Sequence, residues 1–381
     1  MSLIELLAKS EFALRTVSTV LPPSLVVRAF TAGRNMFLPR FAVDVPSLSF
    51  APPLQASVRA WGMDFRLPIW NAAGMFKKGY GYDMVAAQGA GAFVAGTTTS
   101  RARQGNVVRG IAWPSTQYPH SHSASIWMGL PNEGHSAVAA RLHAITKVEG
   151  CPLGASVSAE PGLASDQALP ELLMGMHAYA DAGVDYIELN ESCPNVPGHA
   201  GHATLDEDLL RRLDAVATSF LMQRDRKLPV VVKLSTDTSL EQLPGLINAL
   251  VERAFDGVIL GNTSTRYTEL REHLHSDDRA LFDYFTSTFG GGVSGALLRT
   301  SSLASCAAAV RSLEHCRSEH EFHVIRCGGV ASADDIAASA AAGVRLNQWY
   351  VGYFEGFAAH GHNVYREISA CMRPKRPRAE S

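Results

Sequence analysis

The chain has 381 residues, of which 46% are hydrophobic and 18% charged, a globular balance that excludes disorder over most of its length. A formal charge of −2, with basic residues clustered only in the short tail at residues 373–378, argues against nucleic acid as a partner. Six cysteines without CxxC spacing argue against a disulfide framework and against zinc, so we expect no metal.

Residues 1–45 are predicted to form a short helical extension. Two amphipathic stretches, residues 3–14 and 25–37, are joined by Pro22-Pro23, and their apolar faces could pack on the rest of the protein, meet a membrane surface or meet a partner. Charged side chains argue against a signal peptide, and no stretch reaches the roughly 18 apolar residues that a membrane span requires. We expect a cytoplasmic protein, with peripheral contact at the inner face of a membrane as the alternative.

From about residue 57 onward, short apolar runs alternate with amphipathic stretches, as in the βα units of a parallel sheet. Helical stretches such as residues 205–221, 240–254 and 333–342 are each suited to one crossover. The strand candidates are residues 68–71, 91–96, 152–157, 186–190, 230–234, 257–260, 322–326 and 345–351. Eight strands predict an α/β protein with a (β/α)8 TIM barrel over residues 46–381, whereas a doubly wound open sheet would need fewer strands or a second domain.

One stretch, at about residues 100–132, has no clear period and interrupts the repeat. It holds Trp113, Tyr118, His120, His122 and Trp127. We predict an insertion over one mouth of the barrel.

The functional groups of a TIM barrel lie at the C-terminal ends of its strands. Strand one is followed by residues 71–77, Asn-Ala-Ala-Gly-Met-Phe-Lys, whose small members would let a flat ring lie on the backbone. Strand two ends in hydroxyls at residues 97–99, strand four in Asn-Glu-Ser-Cys-Pro-Asn at residues 190–195, strand five in Lys233, and strand six in Gly-Asn-Thr-Ser at residues 261–264. We expect the catalytic strand end at residues 190–195.

Two glycine-rich stretches, residues 290–295 and 327–332, predict a phosphate site, because glycine frees backbone N–H groups and the fold binds phosphate near strands seven and eight. Flavin mononucleotide (FMN) explains more residues than a sugar phosphate does. Amides and hydroxyls suit its pyrimidine edge, and Lys233 would place positive charge near N1, where a reduced flavin becomes anionic. Lys233 could instead form a Schiff base, as in aldolases, but three asparagines around one cysteine fit that less well.

Five motifs occur together as they do in one enzyme family. They are Asn-x-Ser-Cys-Pro-Asn at residues 190–195, Gly-Leu-Pro-Asn at residues 129–132, Val-x-Lys at residues 231–233, and the two glycine stretches. From about residue 71 to residue 356, the chain resembles the dihydroorotate dehydrogenase family. The resemblance implies an FMN-dependent barrel oxidoreductase that acts on a CH–CH group and oxidises dihydroorotate to orotate in pyrimidine biosynthesis.

The resemblance also implies roles for individual residues. Cys193 takes the place of the general base, which removes a proton from C5 of the substrate while a hydride leaves C6 on the opposite face. A thiol with an ordinary pKa of about 8.5 would give a rate that rises in alkaline solution. Implied FMN contacts are Ala73, Gly74, Thr97, Asn190, Lys233, Gly295, Gly329, Tyr350 and Val351, and implied substrate contacts are Lys77, Asn190, Asn195, Asn262 and Thr263.

Features of two family classes are mixed in this chain. Cys193 and its neighbours resemble class 1, whose members reduce fumarate or pass electrons through a partner subunit. Lys77, Gly96 in place of the class 1 lysine, and the N-terminal extension resemble class 2, whose members use membrane quinone. The electron acceptor is open between quinone and fumarate. We also allow for a homo-oligomer, although no sequence feature indicates one.

Three positions depart from the family pattern. Ile126 stands where an asparagine would bind the pyrimidine, Phe76 stands where an acidic residue would lie beside the flavin, and Gly261 replaces a threonine. An apolar side chain against a polar ring edge leaves a hydrogen bond unmade, at about 1–3 kcal/mol. Two alternatives stay open: a related FMN barrel that acts on another cyclic amide or an enoate, and a barrel that binds flavin without catalysis.

Overall fold

The structure is a computed structural model that describes residues 1–192, 205–224, 227–316 and 320–372. Its centre is a sheet of eight parallel strands: β1 (Ile69–Asn71), β2 (Phe93–Thr98), β3 (Leu153–Val157), β4 (Tyr186–Asn190), β5 (Val230–Leu234), β6 (Gly257–Leu260), β7 (His323–Cys327) and β8 (Leu346–Trp349). Hydrogen-bonded neighbours follow the order β1-β8-β7-β6-β5-β4-β3-β2. The two end strands also meet, because Gly91 N donates to Ile69 O at 3.1 Å and Gly74 N donates to Gly96 O at 2.7 Å. The predicted barrel is confirmed, and the open sheet is wrong.

Helices alternate with the strands along the chain, as the sequence pattern predicts. They are α1 (Leu3–Leu14), α2 (Pro23–Phe41), α3 (Tyr82–Gln88), α4 (His135–His143), α5 (Ser165–Asp181), α6 (Glu207–Val216), α7 (Leu243–Glu252), α8 (Tyr267–Glu272), α9 (Arg279–Thr288), α10 (Arg299–Leu313), α11 (Ala333–Ala341), α12 (Val351–His360) and α13 (Val364–Cys371). A π-helical turn, Ala217–Leu221, continues α6. The three helical crossovers predicted from residues 205–221, 240–254 and 333–342 correspond to α6 with this turn, α7 and α11.

The barrel strands separate two apolar layers. Val230 and Val232 of β5 belong to the large core between strands and helices, whereas Val231 packs in a second cluster with Trp70. Because successive strand residues point to opposite faces, the next residue of β5 on the face of Val231 is Lys233. The barrel interior therefore changes from apolar to polar toward the C-terminal strand ends, where the active site is expected.

One face of the N-terminal extension packs on the barrel. Helix α1 contacts α12, and α2 contacts both α9 and a strand of the insertion, Ser115–Tyr118. Phe41 of α2 meets Phe357 of α12 edge-on, with 5.0 Å between ring centroids, and Thr31 Oγ1 donates to Ser115 O at 3.0 Å. Packing on the barrel is thus observed for this face, while the domain boundary at residue 45 stays a prediction.

The insertion contains a small antiparallel sheet that its sequence did not reveal. Strand Ser123–Ile126 pairs with Ser115–Tyr118 on one side and with Gly292–Gly295 on the other. These strands are short and rich in small residues, so they show no apolar alternation. The first glycine-rich stretch is therefore an edge strand of this sheet, which joins the insertion to the segment that precedes β7.

Candidate active site

A chain of hydrogen bonds crosses four strand ends at the C-terminal mouth of the barrel. Asn190 Nδ2 donates to Thr97 Oγ1 at 2.9 Å, and Thr97 Oγ1 lies 2.8 Å from Ser156 Oγ. On its other side, Asn190 Oδ1 accepts from Ser192 Oγ at 2.9 Å. Asn262 Nδ2 donates to the same Ser192 Oγ at 2.9 Å. The structure therefore brings the predicted residues Thr97, Asn190 and Asn262 together, and two serines orient their side chains.

Lys233 lies in a buried polar cluster inside the barrel. Its Nζ donates to Gln348 Oε1 at 3.3 Å and lies 3.7 Å from Cys327 Sγ. Gln348 Nε2 donates in turn to Glu188 Oε1. Burial raises the pKa of Glu188, although the charge of Lys233 acts in the opposite direction. The cluster holds the Lys233 ammonium in one place at the end of β5.

A cavity of about 370 Å³ opens beside these side chains. Its walls include Asn262, Gly295, Cys327, Gly329, Tyr350 and Val351. Gly295 and Gly329 have φ angles of +101° and +72°, and a Cβ on them would lie 2.5 Å from His122 O and 2.4 Å from Arg299 Cα. Helix α12 begins at Val351, and the first N–H groups of a helix have no partner within it. Close backbone and a helix N-terminus together make a wall that suits an anion.

Strand β1 contributes a second group of predicted residues. Gly74 has a φ of +102°, and a Cβ there would lie 3.9 Å from Lys77 Nζ, so this lysine folds back over the glycine. Ala73 is half-buried beside the apolar cluster of the barrel interior.

Thr263, after β6, is 4% exposed, and its Oγ1 has no hydrogen-bond partner in the part of the chain that the structure describes. A buried hydroxyl of this kind is one that a bound molecule could satisfy.

Two predicted site residues, Cys193 and Asn195, lie outside the described residues. The strand end that leads to them is described as far as Ser192. Ser192 Oγ accepts from Asn262 Nδ2 and donates to Asn190 Oδ1, so Ser192 itself is held between these two asparagines.

Two departures from the family pattern have physical reasons in this fold. Phe76 is 4% exposed and stacks on Phe41 of α2, with 6.1 Å between ring centroids, so it anchors the extension. Gly261 has a φ of +117°, and a Cβ there would lie 1.5 Å from Cys327 O, which excludes a threonine. Ile126 is half-buried at the end of its strand in the small sheet, and nothing in the structure explains its replacement of an asparagine.

Sequence reasoning missed three polar side chains of this region. Glu188 and Gln348 are fully buried within barrel strands, and a charged residue inside a strand is a signal that could have found the first. Arg34 of α2 donates from Nη2 to Tyr350 Oη at 2.7 Å, which links the extension to the cavity wall. The position of Arg34 on an amphipathic helix did not indicate a contact with the cavity wall.

A buried histidine next to the end of β2 makes the stability of the fold depend on pH. His135 Nδ1 lies 2.9 Å from Thr98 Oγ1, and burial lowers the pKa of His135 from 6.5 to about 4, although Glu160 and Glu171 act in the opposite direction. Between these values the unfolded chain binds a proton that the folded chain does not. This contribution is present above pH 6.5 and is lost as the pH falls through 4, at most about 3 kcal/mol of unfolding free energy.

We therefore expect the His135→Gln variant to show a flatter pH dependence of unfolding free energy between pH 6.5 and pH 4 than the parent protein. Denaturant unfolding across that range measures it. His143→Gln is the matched control, because His143 is exposed at the end of the same helix, α4. Parallel curves for the parent and the His135 variant would show that His135 is not the group responsible.

Comparison with known proteins identifies the family. The family model described as dihydroorotate dehydrogenase matches residues 55–372. The dihydroorotate dehydrogenase (quinone) of Leifsonia xyli subsp. xyli is 29% identical over 341 residues, covering 89% of this chain and 90% of the relative. The enzyme of the same name from Nocardia farcinica is 28% identical over 327 residues, covering 84% and 81%. The crystal structure of DHODH from Eimeria tenella in complex with ferulenol has the same fold, with a TM-score of 0.72, 19% identity and 90% coverage of each chain. The chain belongs to the dihydroorotate dehydrogenase family.

Proposed function

We propose that the protein is an FMN-dependent dihydroorotate dehydrogenase that oxidises dihydroorotate to orotate in pyrimidine biosynthesis and passes the electrons to a quinone. Membership of the family and the names of the relatives support the reaction and the acceptor. The observation that carries the proposal is the glycine-walled cavity with Asn262 and Cys327 among its lining residues, since Asn262 is linked to Asn190 through Ser192 and Cys327 contacts Lys233.

The residues around the cavity fit FMN. A phosphate suits the wall where Gly295 and Gly329 leave no room for a Cβ and where α12 begins at Val351. Lys233 is held at the end of β5 by Gln348 and can place its charge against the flavin ring. The residues that would hold the cofactor are Ala73, Gly74, Thr97, Asn190, Lys233, Gly295, Gly329, Tyr350 and Val351. When bound, FMN accepts a hydride from the substrate and passes electrons on to the acceptor.

The substrate ring is nearly all amide, and amides and hydroxyls can both donate to it and accept from it. Lys77, Asn190, Asn195, Asn262 and Thr263 are the proposed substrate ligands. Thr263 Oγ1 supports this, because it has no hydrogen-bond partner among the described residues and a ligand would supply one. Cys193 is proposed to take the C5 proton as a thiolate, on the substrate face opposite the flavin.

Orotate formation tests the proposal. Purified protein supplied with dihydroorotate should produce orotate with a quinone analogue as acceptor, and more slowly with fumarate. Faster turnover with fumarate would overturn the quinone assignment. Bound FMN without orotate formation by either route would favour a related substrate, another cyclic amide or an enoate, which is the alternative that Ile126 raises.

The free face of the extension supports a quinone drawn from a membrane. Helix α1 exposes Leu3, Leu7 and Leu14, which are 69%, 47% and 66% accessible and recur at helical spacing on one face. In the described part of the chain, no helix has the length and apolar character to cross a bilayer. We infer peripheral binding, with α1 lying in the interface and Arg34 linking α2 to Tyr350 at the cavity.

Substituting these three leucines with serine should reduce the quinone-dependent rate on lipid vesicles several-fold and leave the rate with a soluble dye unchanged, because membrane binding scales with buried apolar area. Vesicle co-sedimentation and the two assays measure this. Leu54→Ser is a matched control, since Leu54 is 86% exposed and lies outside the extension. An unchanged vesicle rate in the triple variant would show that α1 does not deliver the acceptor.

A further inference from the structure

Two histidines and an aspartate converge on the surface of the protein, and none of the three is among the residues that line the cavity. His120 lies in the turn Pro119–Ser121 of the insertion, and His275 and Asp277 lie at the turn before α9. The ligand atoms of the three side chains all lie within 4.8 Å of one another. His120 Nε2 is 3.9 Å and His275 Nδ1 3.8 Å from Asp277 Oδ2. The two imidazole rings stack, with 4.8 Å between their centroids.

The two turns that carry these side chains are held together by a buried carboxylate. Asp278 is fully buried, and its Oδ2 accepts from Ser121 N at 2.8 Å and from Ser121 Oγ at 2.6 Å. His275 N donates to the same Ser121 Oγ at 3.0 Å. The two turns are therefore held against each other by hydrogen bonds that do not use the metal-binding atoms of the three candidate ligands.

We propose that His120, His275 and Asp277 bind a divalent transition metal ion of the Zn²⁺ type, with the remaining position open to water. Imidazole and carboxylate ligands suit zinc, copper and nickel better than magnesium or calcium. Zinc holds nitrogen and oxygen at about 2.0–2.1 Å in a tetrahedron, so its ligands stand roughly 3.3 Å apart. The side chains are 28%, 49% and 56% exposed, so solvent leaves them room to turn, and the stacked rings must turn for their nitrogens to face one ion.

One local hydrogen bond competes with the metal. His275 Nδ1 accepts from Asp277 N at 3.3 Å, a long bond that a metal at Nδ1 would displace. The expectation of no metal rested on cysteine spacing, and the sequence gave no sign of this site because the two histidines lie far apart in the chain and meet through the contact between the two turns.

A metal at this site would stabilise the surface against which the N-terminal extension packs. The 3₁₀ turn Arg15–Val20, which links α1 to α2, contacts both Pro119–Ser121 and Ser276–Asp278. An ion that joins those two turns therefore strengthens the surface on which the extension rests. The site is separate from the proposed function and does not depend on FMN or substrate.

Calorimetric titration of chelator-treated, tag-free protein with ZnCl₂ tests the proposal, and Co²⁺ in place of zinc reports tetrahedral coordination by its visible absorption. We expect one ion per chain, a rise in Tm with the metal, and affinity at least about tenfold weaker in His120→Ala and in Asp277→Asn. His143→Ala is the control, because His143 is an exposed histidine on α4. Zinc binding that is absent, or equal in all variants, would show that the cluster is only a hydrogen-bonded surface feature.

Discussion

Replacing Cys193 by alanine should lower the rate of dihydroorotate oxidation by about 10²–10⁴-fold while the flavin absorbance of the protein stays the same. The proposed base acts only on the substrate, and the residues proposed to hold FMN, apart from Asn190 of β4, lie on or after other strands. Steady-state assays at saturating substrate, with flavin content measured on the same sample, separate the two effects. The parent rate should also rise in alkaline solution toward the ordinary thiol pKa of about 8.5, and the variant should lose that rise.

Cys371→Ala is the control for this experiment, because Cys371 is an exposed thiol at the end of α13. It should retain the parent rate and the parent pH profile. If Cys193→Ala turns over as fast as the parent, Cys193 is not the base, and another group must take the C5 proton.

Replacing Gly329 by alanine should strip the protein of FMN. A Cβ at this position would lie 2.4 Å from Arg299 Cα and 2.5 Å from Arg299 N, so the backbone that walls the cavity must move. The positive φ of +72° adds a strain of about 1–2 kcal/mol for a residue with a side chain. We expect a colourless protein, or one whose affinity for added FMN falls by more than about tenfold, measured by flavin fluorescence.

Gly62→Ala is the control that separates the steric overlap of the new Cβ from the strain of a positive φ. Gly62 has a φ of +76° and lies in the turn between the strands Val58–Ala60 and Met63–Phe65, where a Cβ would meet nothing within 4 Å. It should cost stability without loss of flavin. Full flavin content in the Gly329 variant would mean that this wall does not hold the phosphate.

The barrel strands could be predicted from sequence because each is a buried apolar run of local residues. The same apolar runs also locate a residue of the site. Lys233 follows three valines, so its position near the end of a strand could be predicted from that run. The two N-terminal helices were likewise predictable from their apolar spacing.

Contacts between distant segments could not be predicted in this way. The pairing of Gly292–Gly295 with Ser123–Ile126 brings together stretches without apolar alternation, and the contact of Arg34 with Tyr350 depends on where α2 docks. Glu188 and Gln348 meet only because the barrel closes, since they lie on β4 and β8. Local secondary-structure propensity carries no information about such long-range contacts.

Anaerobic titration with dihydroorotate tests the central claim most directly. An FMN-dependent dihydroorotate dehydrogenase predicts that the purified protein is yellow and that stoichiometric dihydroorotate bleaches its flavin absorbance, with orotate as the product. A yellow protein whose absorbance does not change on adding dihydroorotate, although a chemical reductant bleaches it, would contradict dihydroorotate as the substrate.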